Sequence, residues 1–86
     1  MIGFIISKWI KDLKMSKSAF CQISGYEPEV LYRWIKGVHV PNNQSLKNIV
    51  DTFGRYDYWG IEKREAAYWL LSELREYDYK SKRARK

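Results

Sequence analysis

The sequence predicts an all-α fold, a compact bundle of five helices. Apolar residues recur every three or four positions along most of the chain, which is the period of an amphipathic helix. Glycine and proline interrupt this pattern and leave room for short connections only. A chain of 86 residues suffices for one domain, so we expect a single helical domain over residues 1–79 and a flexible basic tail over residues 80–86.

The first two helices are predicted over residues 2–14 and 17–24. The apolar stripe of the first helix consists of Ile2, Ile6, Trp9, Ile10 and Leu13. Ser16 stands where the second helix needs an N-cap, because a hydroxyl accepts a hydrogen bond from an unpaired backbone N–H. Gly25 follows the second helix, and we expect it to end this helix in the left-handed conformation.

The third helix is predicted to begin at Pro28, since proline suits the first turn of a helix, and to end at Gly37. Its apolar stripe, which we expect to face the core, consists of Val30, Leu31, Trp34 and Ile35. The opposite, solvent-facing side then consists of Glu29, Tyr32, Arg33 and Lys36. Cys21 of the second helix is expected to be buried as well.

The fourth helix is predicted after Pro41, with Asn42 or Asn43 as its N-cap and Gly54 as its end. Its apolar stripe consists of Leu46, Ile49, Val50 and Phe53. The fifth helix is predicted from about Ile61 to Tyr79. Its expected inner face consists of Ala67, Leu70, Leu71, Leu74 and Tyr77. Tyr68 and Trp69 give this helix more apolar surface than one core-facing stripe requires.

The charge of the chain is positive and unevenly distributed. The formal net charge is +6, and residues 80–86 contain five basic side chains and no acidic one. This basicity favours a polyanionic partner, although basic tails also occur in proteins that bind no nucleic acid. Cys21 is the only cysteine in the sequence, which excludes an internal disulfide and a cysteine zinc cluster and fits a cytoplasmic location.

Several classes of function are not supported by any pattern in the sequence. No apolar run approaches the roughly 18–20 residues that a membrane span needs, so we expect no membrane partner. The sequence has no phosphate-binding glycine loop and no metal-ligand spacing. One cysteine and one histidine, Cys21 and His39, match no local nucleophile–base signature. We therefore expect no enzyme activity, no cofactor and no metal.

Residues 15–53 carry the most informative pattern. A helix of about eight residues, a short turn at Gly25 and a second helix have the layout of a helix-turn-helix. The segment also has a fixed register of a small residue, a glycine, two apolar residues and a Gly-x-x-x-Pro. These positions are Cys21, Gly25, Leu31, Trp34, Gly37 and Pro41. In this register residues 5–53 resemble the Cro/repressor-like family, also known as the lambda-repressor-like or xenobiotic-response-element type.

The resemblance implies a sequence-specific regulator of transcription, of the phage-repressor type, that binds double-stranded DNA. Its recognition helix would span residues 28–36 and enter the major groove. The residues in or beside base-facing and phosphate-facing positions are Lys17, Ser18, Pro28, Glu29, Tyr32, Arg33, Lys36, His39, Asn42, Asn43 and Lys47. Members of the family usually bind as homodimers, and the spare apolar surface of the fifth helix suggests a dimer contact. Its candidate residues are Tyr68, Trp69, Leu71 and Tyr79.

The chemistry of the third helix is compatible with this role. Arg33 can donate two hydrogen bonds to guanine, and Glu29 can accept one from cytosine N4. Tyr32 could contact a thymine methyl group or a phosphate. Glu27 and Glu29 are also explained by the positive end of the helix dipole, which acidic side chains stabilise by roughly 0.3–1 kcal/mol each. His39, in the loop that follows, is also explained as an ordinary surface residue.

A second interpretation comes from a different class of function. The third helix opens with Glu27, Pro28 and Glu29, whereas family members usually have polar or basic residues there. An acidic residue that the family has two positions before Gly37 is replaced by Ile35. These departures favour a protein-interaction module, such as an antirepressor that binds another regulatory protein through a helix-turn-helix scaffold.

Overall fold

The computed structural model describes residues 1–84, with side chains to residue 80, and this part of the chain forms five α-helices and no strand. The helices are α1 (Ile2–Asp12), α2 (Lys17–Ser24), α3 (Pro28–Lys36), α4 (Asn43–Tyr56) and α5 (Ile61–Ala84). The predicted all-helical class is therefore confirmed. α5 continues past Tyr79 to Ala84, so the helix ends later than predicted. Arg85 and Lys86 lie outside the described residues.

The predicted helix ends around α2 and α3 are confirmed by their capping contacts. The Ser16 hydroxyl accepts a hydrogen bond from the Ala19 N–H over 3.0 Å, at the start of α2. Gly25 and Gly37 follow α2 and α3 with φ angles of 82° and 77°. A side chain at these φ values is strained, so glycine allows both chain reversals and keeps α3 short.

In α4 the predicted N-cap at Asn42 is confirmed, but the predicted end at Gly54 is wrong. The Asn42 side chain accepts a hydrogen bond from the Ser45 N–H over 2.8 Å and caps the helix. Gly54 does not end it, because α4 continues to Tyr56. A Cβ atom at Gly54 would lie 2.7 Å from Cζ of Arg64, and Arg64 Nε donates a hydrogen bond to the Trp59 carbonyl over 3.0 Å. A larger residue at position 54 would require the Arg64 side chain to move.

The core lies between all five helices. α1 packs against α2, α3 and α5, and α4 packs against α2 and α5. The ring of Phe53 stacks on Phe20 at 4.9 Å between centroids and meets Trp9 edge-on at 5.4 Å. Burial of each such side chain contributes about 1.5–3 kcal/mol. The largest fully buried side chains are Ile2, Ile6, Phe20, Leu31, Pro41, Leu46, Ile49, Phe53 and Leu71.

The inner face of α5 differs from the predicted one. Ala67 and Leu71 are buried and Leu74 packs against the core, but Leu70 is 40 % exposed and Tyr77 is 60 % exposed. Asp78 takes part of that face instead: one carboxylate oxygen accepts a hydrogen bond from the Ile2 N–H over 3.0 Å. The start of α1 lies against this part of α5, and its unpaired N–H groups favour a carboxylate over an apolar side chain.

α1 and α3 approach each other closely at Gly3. A Cβ atom at this position would lie 2.7 Å from Cα of Ile35 and would also collide with the Trp34 carbonyl oxygen. The neighbouring atoms belong to the backbone of α3, so they cannot move aside as a flexible side chain can. Gly3 thus fixes how deeply α3 sits on the bundle, and with it how far the outer side of α3 projects.

Candidate nucleic-acid interface

The outer side of α3 is formed by two interacting pairs of side chains. Arg33 Nη2 donates a hydrogen bond to Glu29 Oε1 over 2.7 Å. One turn further on, the ammonium group of Lys36 lies 5.1 Å from the centroid of the Tyr32 ring. All four side chains are exposed, as the apolar stripe of the sequence predicts. The pairs have i,i+4 spacing, so they line up along one face of the helix.

The outer side of α3 has charges of both signs. A hydrogen bond with the Tyr32 side chain, supported by Coulombic attraction to the same residue, raises the pKa of Lys36. The shift adds to a pKa that already lies well above the physiological range, so Lys36 is charged there. The charge of Arg33 is offset by Glu29 at hydrogen-bond distance. The face thus has one guanidinium group paired with a carboxylate and one ammonium group that lies over an aromatic ring.

The inner side of α3 is anchored in the core. Leu31 and Trp34 are buried, while Val30 and Ile35 are half-buried and pack against the core residues. Trp34 meets the ring of Tyr26 edge-on at 4.9 Å. These contacts fix the rotation of α3 about its axis, so the opposite side must point into solvent.

A hydrogen bond connects the turn before α3 to α4. The Tyr26 hydroxyl accepts it from Asn48 Nδ2 over 3.0 Å, and the two residues lie 22 positions apart. Asn48 in turn accepts a hydrogen bond from Gln44, four positions earlier on α4. The hydrogen bond between Tyr26 and Asn48 joins the turn before α3 directly to α4.

The candidate residues outside α3 lie at the starts of α2 and α4 and in the loop between α3 and α4. Lys17 and Ser18 are exposed in the first turn of α2. His39 is exposed in the loop, where its backbone N–H donates to the Arg33 carbonyl over 3.4 Å. The side-chain oxygen of Asn42 already caps α4. The remaining exposed candidates are Pro28, Asn43 and Lys47.

Asn43 and Lys47 also belong to a second feature that the sequence did not indicate. They line an open groove between α4 and α5, with a volume of about 550 Å³. The α5 side of the groove includes Ile61, Glu65 and Trp69. These residues are spaced by four and share one side of α5, but the spacing alone does not indicate that α4 lies beside them.

The four residues predicted to form a dimer contact fall into three environments. Trp69 and Tyr79 are exposed on α5, at 64 % and 46 %. Tyr68 is partly buried and meets the Trp69 ring edge-on at 5.5 Å. Leu71 has no exposed surface, so its inclusion in the contact was wrong. Leu71 is four positions after buried Ala67 and shares the inner face of α5 with it.

The chain matches no protein-family model, no curated protein and no solved structure. Among the helices of residues 1–84, none combines the length and the hydropathy that a bilayer crossing requires. Function must therefore be derived from the exposed side chains of the bundle and the contacts that position them.

Proposed function

We propose that the chain is a sequence-specific DNA-binding regulator of transcription that uses α2 and α3 as a helix-turn-helix. The observation that carries the proposal is the outward side of α3, where Arg33 is exposed on a helix anchored by Leu31 and Trp34. Within the described residues α3 packs against α1 and α2 and makes no contact with α5. Its outer side is thus open to a large partner.

The dimensions of α3 suit the major groove. An α-helix with its side chains is about 10–12 Å in diameter, and a major groove about 12 Å wide admits it; α3 has nine residues. α3 begins at Pro28 and ends at Gly37, whose left-handed conformation stops the helix. The register of glycine, apolar and proline positions that resembles the Cro/repressor-like family runs through the same segment.

Base recognition is assigned to Glu29 and Arg33. A guanidinium group has five N–H donors in one plane, and the contact with Glu29 occupies one of the two terminal nitrogens. The carboxylate restricts the rotamers of Arg33 before DNA arrives and so reduces the entropy that binding would cost. Arg33 then recognises guanine O6 and N7, while the second oxygen of Glu29 can accept from a neighbouring cytosine N4.

Phosphate binding is assigned to the starts of α2 and α4. The unpaired backbone N–H groups at a helix N-terminus attract phosphate oxygens. Lys17 on α2, and Asn43 and Lys47 on α4, are exposed beside these ends. Each neutralised phosphate releases counterions, so binding is expected to weaken steeply as the salt concentration rises.

The test is a selection from a random duplex library, followed by fluorescence anisotropy with the selected site and with a random duplex. We expect Arg33→Ala to weaken binding to the selected site by about tenfold to a hundredfold and to leave random-duplex binding nearly unchanged. Arg55→Ala is the matched control, because Arg55 is exposed in the last turn of α4. An unchanged site preference in Arg33→Ala would exclude recognition through α3.

A second candidate function is recognition of another regulatory protein by the same face. It is favoured by the exposed carboxylates of Glu27 and Glu29 at the start of α3 and by the neutralisation of Arg33. Two carboxylates repel a phosphate backbone, whereas they suit a basic protein surface. Absence of random-duplex binding at low salt would favour this second function over the first.

A further inference from the structure

A pocket that α3 does not line lies between α1, the turn that joins α4 to α5, and the first half of α5. Its volume is about 360 Å³, which is in the range of small-molecule sites, about 300–1,000 Å³. Its apolar lining includes Trp9, Leu13, Trp59 and Leu70. Leu70 is 40 % exposed, so the pocket is accessible from solvent. None of the lining residues belongs to the candidate nucleic-acid interface, which leaves the pocket free for a separate role.

The two tryptophan rings of the pocket form adjacent walls. Trp9 and Trp59 are 5.5 Å apart between ring centroids and nearly perpendicular, at 88°. Phe53 stacks against Trp59 at 5.9 Å between centroids, and the ammonium group of Lys63 lies over the Trp59 ring at 4.9 Å from its centroid. The face of an indole ring attracts cations. The chain's own Lys63 therefore shows that this ring is accessible to a cation.

The charged groups that line the pocket are two carboxylates and one ammonium group, although the chain as a whole has a net charge of +6. Asp12 is paired with Lys8, whose Nζ lies 3.1 Å away. Asp57 accepts a hydrogen bond from Trp59 Nε1 over 2.8 Å, and among the described side chains it is paired with no cation. An unpaired carboxylate beside an aromatic face favours a positively charged ligand.

The backbone of the turn is strained between the two residues that it contributes to the pocket. Tyr58, which separates Asp57 from Trp59, has a φ of 56°, a left-handed conformation that bulky residues rarely adopt. Its side chain is 93 % exposed, so packing of the ring in the bundle does not offset this strain. Asp57 and Trp59 both reach the pocket. Strain of this kind is concentrated where a backbone positions functional groups, which agrees with a binding role for the turn.

We propose that the pocket binds a small organic cation, a quaternary alkylammonium ion. The bound cation takes the place of the Lys63 ammonium group over the Trp59 ring, with the Asp57 carboxylate beside it. Its alkyl groups lie against Trp9 and Leu70. The Lys63 side chain is exposed, so its ammonium group can move into solvent at little cost when the ligand enters.

The chemistry of the lining selects a quaternary ammonium ion over a primary amine or a metal ion. A primary ammonium group has three N–H donors, whereas the pocket offers one unpaired carboxylate and mostly apolar walls. Burial of donors without partners costs free energy, as does the removal of water from a metal ion. An alkylated nitrogen has no N–H to satisfy, and its methyl groups gain by leaving water. Because α3 contributes no residue to the pocket, the site does not rest on the proposed binding of DNA.

The experiment is a titration of the full chain with tetramethylammonium chloride, followed by nuclear magnetic resonance, with sodium chloride added to keep the ionic strength constant. The indole N–H groups give one signal for each tryptophan, Trp9, Trp34, Trp59 and Trp69. We expect saturable shifts at Trp59 and Trp9, with a dissociation constant of about 1–10 mM, and no saturable shift at Trp34 or Trp69. Tert-butyl alcohol, which has a similar shape and no charge, is expected to bind about tenfold more weakly or worse.

Three substitutions test the contacts around the Trp59 ring. Lys63→Met removes the competing ammonium group and is expected to lower the dissociation constant about threefold to tenfold. Lys80→Met is the matched control, because Lys80 is exposed near the other end of α5 and its loss is expected to leave the affinity unchanged. Asp57→Asn retains the size of the side chain and is expected to raise the dissociation constant about threefold or more.

The proposal is overturned if neither the unaltered chain nor Lys63→Met shows a saturable shift at Trp59, if all four indole signals shift alike, or if the alcohol binds as well as the cation. Equal effects of Lys63→Met and Lys80→Met, or an unchanged affinity in Asp57→Asn, would also exclude it.

Discussion

Arg33 donates a hydrogen bond to Glu29 over 2.7 Å on the side of α3 that faces away from the core. Both side chains are largely exposed, so the pair contributes only about 0.2–0.5 kcal/mol to folding. Its larger effect is on recognition, since Glu29 holds the guanidinium group in one position and offsets its charge. Glu29 therefore sets both the geometry and the electrostatics that a partner of α3 meets.

We expect Glu29→Gln to strengthen binding to random duplex by about twofold to fivefold at low salt, because it removes a negative charge and the tether on Arg33. The same change should weaken discrimination at the base pair beside the one that Arg33 recognises. Anisotropy titrations at several salt concentrations measure both effects. Glu27→Gln is the matched control, because it removes an equal charge from the start of α3 without releasing Arg33. If both variants behave alike, the contact between Glu29 and Arg33 has no role in recognition.

Gly3→Ala is expected to destabilise the fold by about 1–3 kcal/mol, the usual cost of an overpacked interface. The added methyl group would meet the backbone of α3 at Trp34 and Ile35, so α3 must move away from α1. Urea unfolding measures the loss of stability. In Gly60→Ala the added methyl group has open space, and this control variant should unfold close to the unaltered chain. Equal midpoints for the two variants would show that α1 and α3 are not in tight contact.

Local signals in the sequence were sufficient for most helix boundaries. Ser16, Gly25, Pro28 and Gly37 lie where α2 and α3 begin and end. Ser16 acts through a side-chain cap and the two glycines through a left-handed φ, whereas Pro28 has a fixed φ and lacks the N–H that would be unpaired. The amphipathic pattern of α3 likewise predicted which side is buried, because its nine residues contact the core along one stripe only.

The predictions that were wrong concern positions whose environment depends on residues distant in the sequence. Gly54 was expected to end α4, but it is buried beneath Arg64, ten positions later. Tyr77 was expected on the inner face of α5, which instead includes Asp78 because the start of α1 needs an acceptor there. Periodicity along one helix contains no information about its neighbours. The groove between α4 and α5 was missed for the same reason.

Asp78 connects α5 to the start of α1, and its removal should destabilise the contact between these two segments. Its carboxylate accepts hydrogen bonds from the Ile2 N–H over 3.0 Å and from the Met1 amino group over 3.1 Å. We expect Asp78→Ala to cost about 1–2 kcal/mol, as the loss of a charged helix cap does.

The measurement for Asp78→Ala is amide hydrogen exchange. Exchange should be faster than in the unaltered chain in the first turns of α1, and the acceleration should be larger there than in α4. Asp12→Ala is the control, because Asp12 pairs only with exposed Lys8 and such a pair contributes about 0.2–1 kcal/mol or less. Unchanged exchange in α1 after Asp78→Ala would show that the carboxylate does not cap this helix.

Cys21 gives the stability of the fold a dependence on alkaline pH. Burial in the core raises the pKa of the Cys21 thiol above its ordinary value of 9.0. The unfolded chain therefore loses this proton first as pH rises, and ionisation favours the unfolded state. Below pH 9.0 both states retain the proton and Cys21 has no effect, whereas the stability falls as pH rises through that value toward the pKa of the folded state.

The measurement for Cys21 is urea unfolding of the unaltered chain and of Cys21→Ala at neutral pH and above pH 9.0. Tyrosine and lysine side chains titrate in both proteins, so their effects cancel in the difference. We expect Cys21→Ala to cost stability at neutral pH, since a buried side chain becomes smaller, and the cost to shrink at alkaline pH. A thiol reagent should react with Cys21 only under unfolding conditions. A pH-independent difference together with rapid labelling of the folded chain would place Cys21 at the surface.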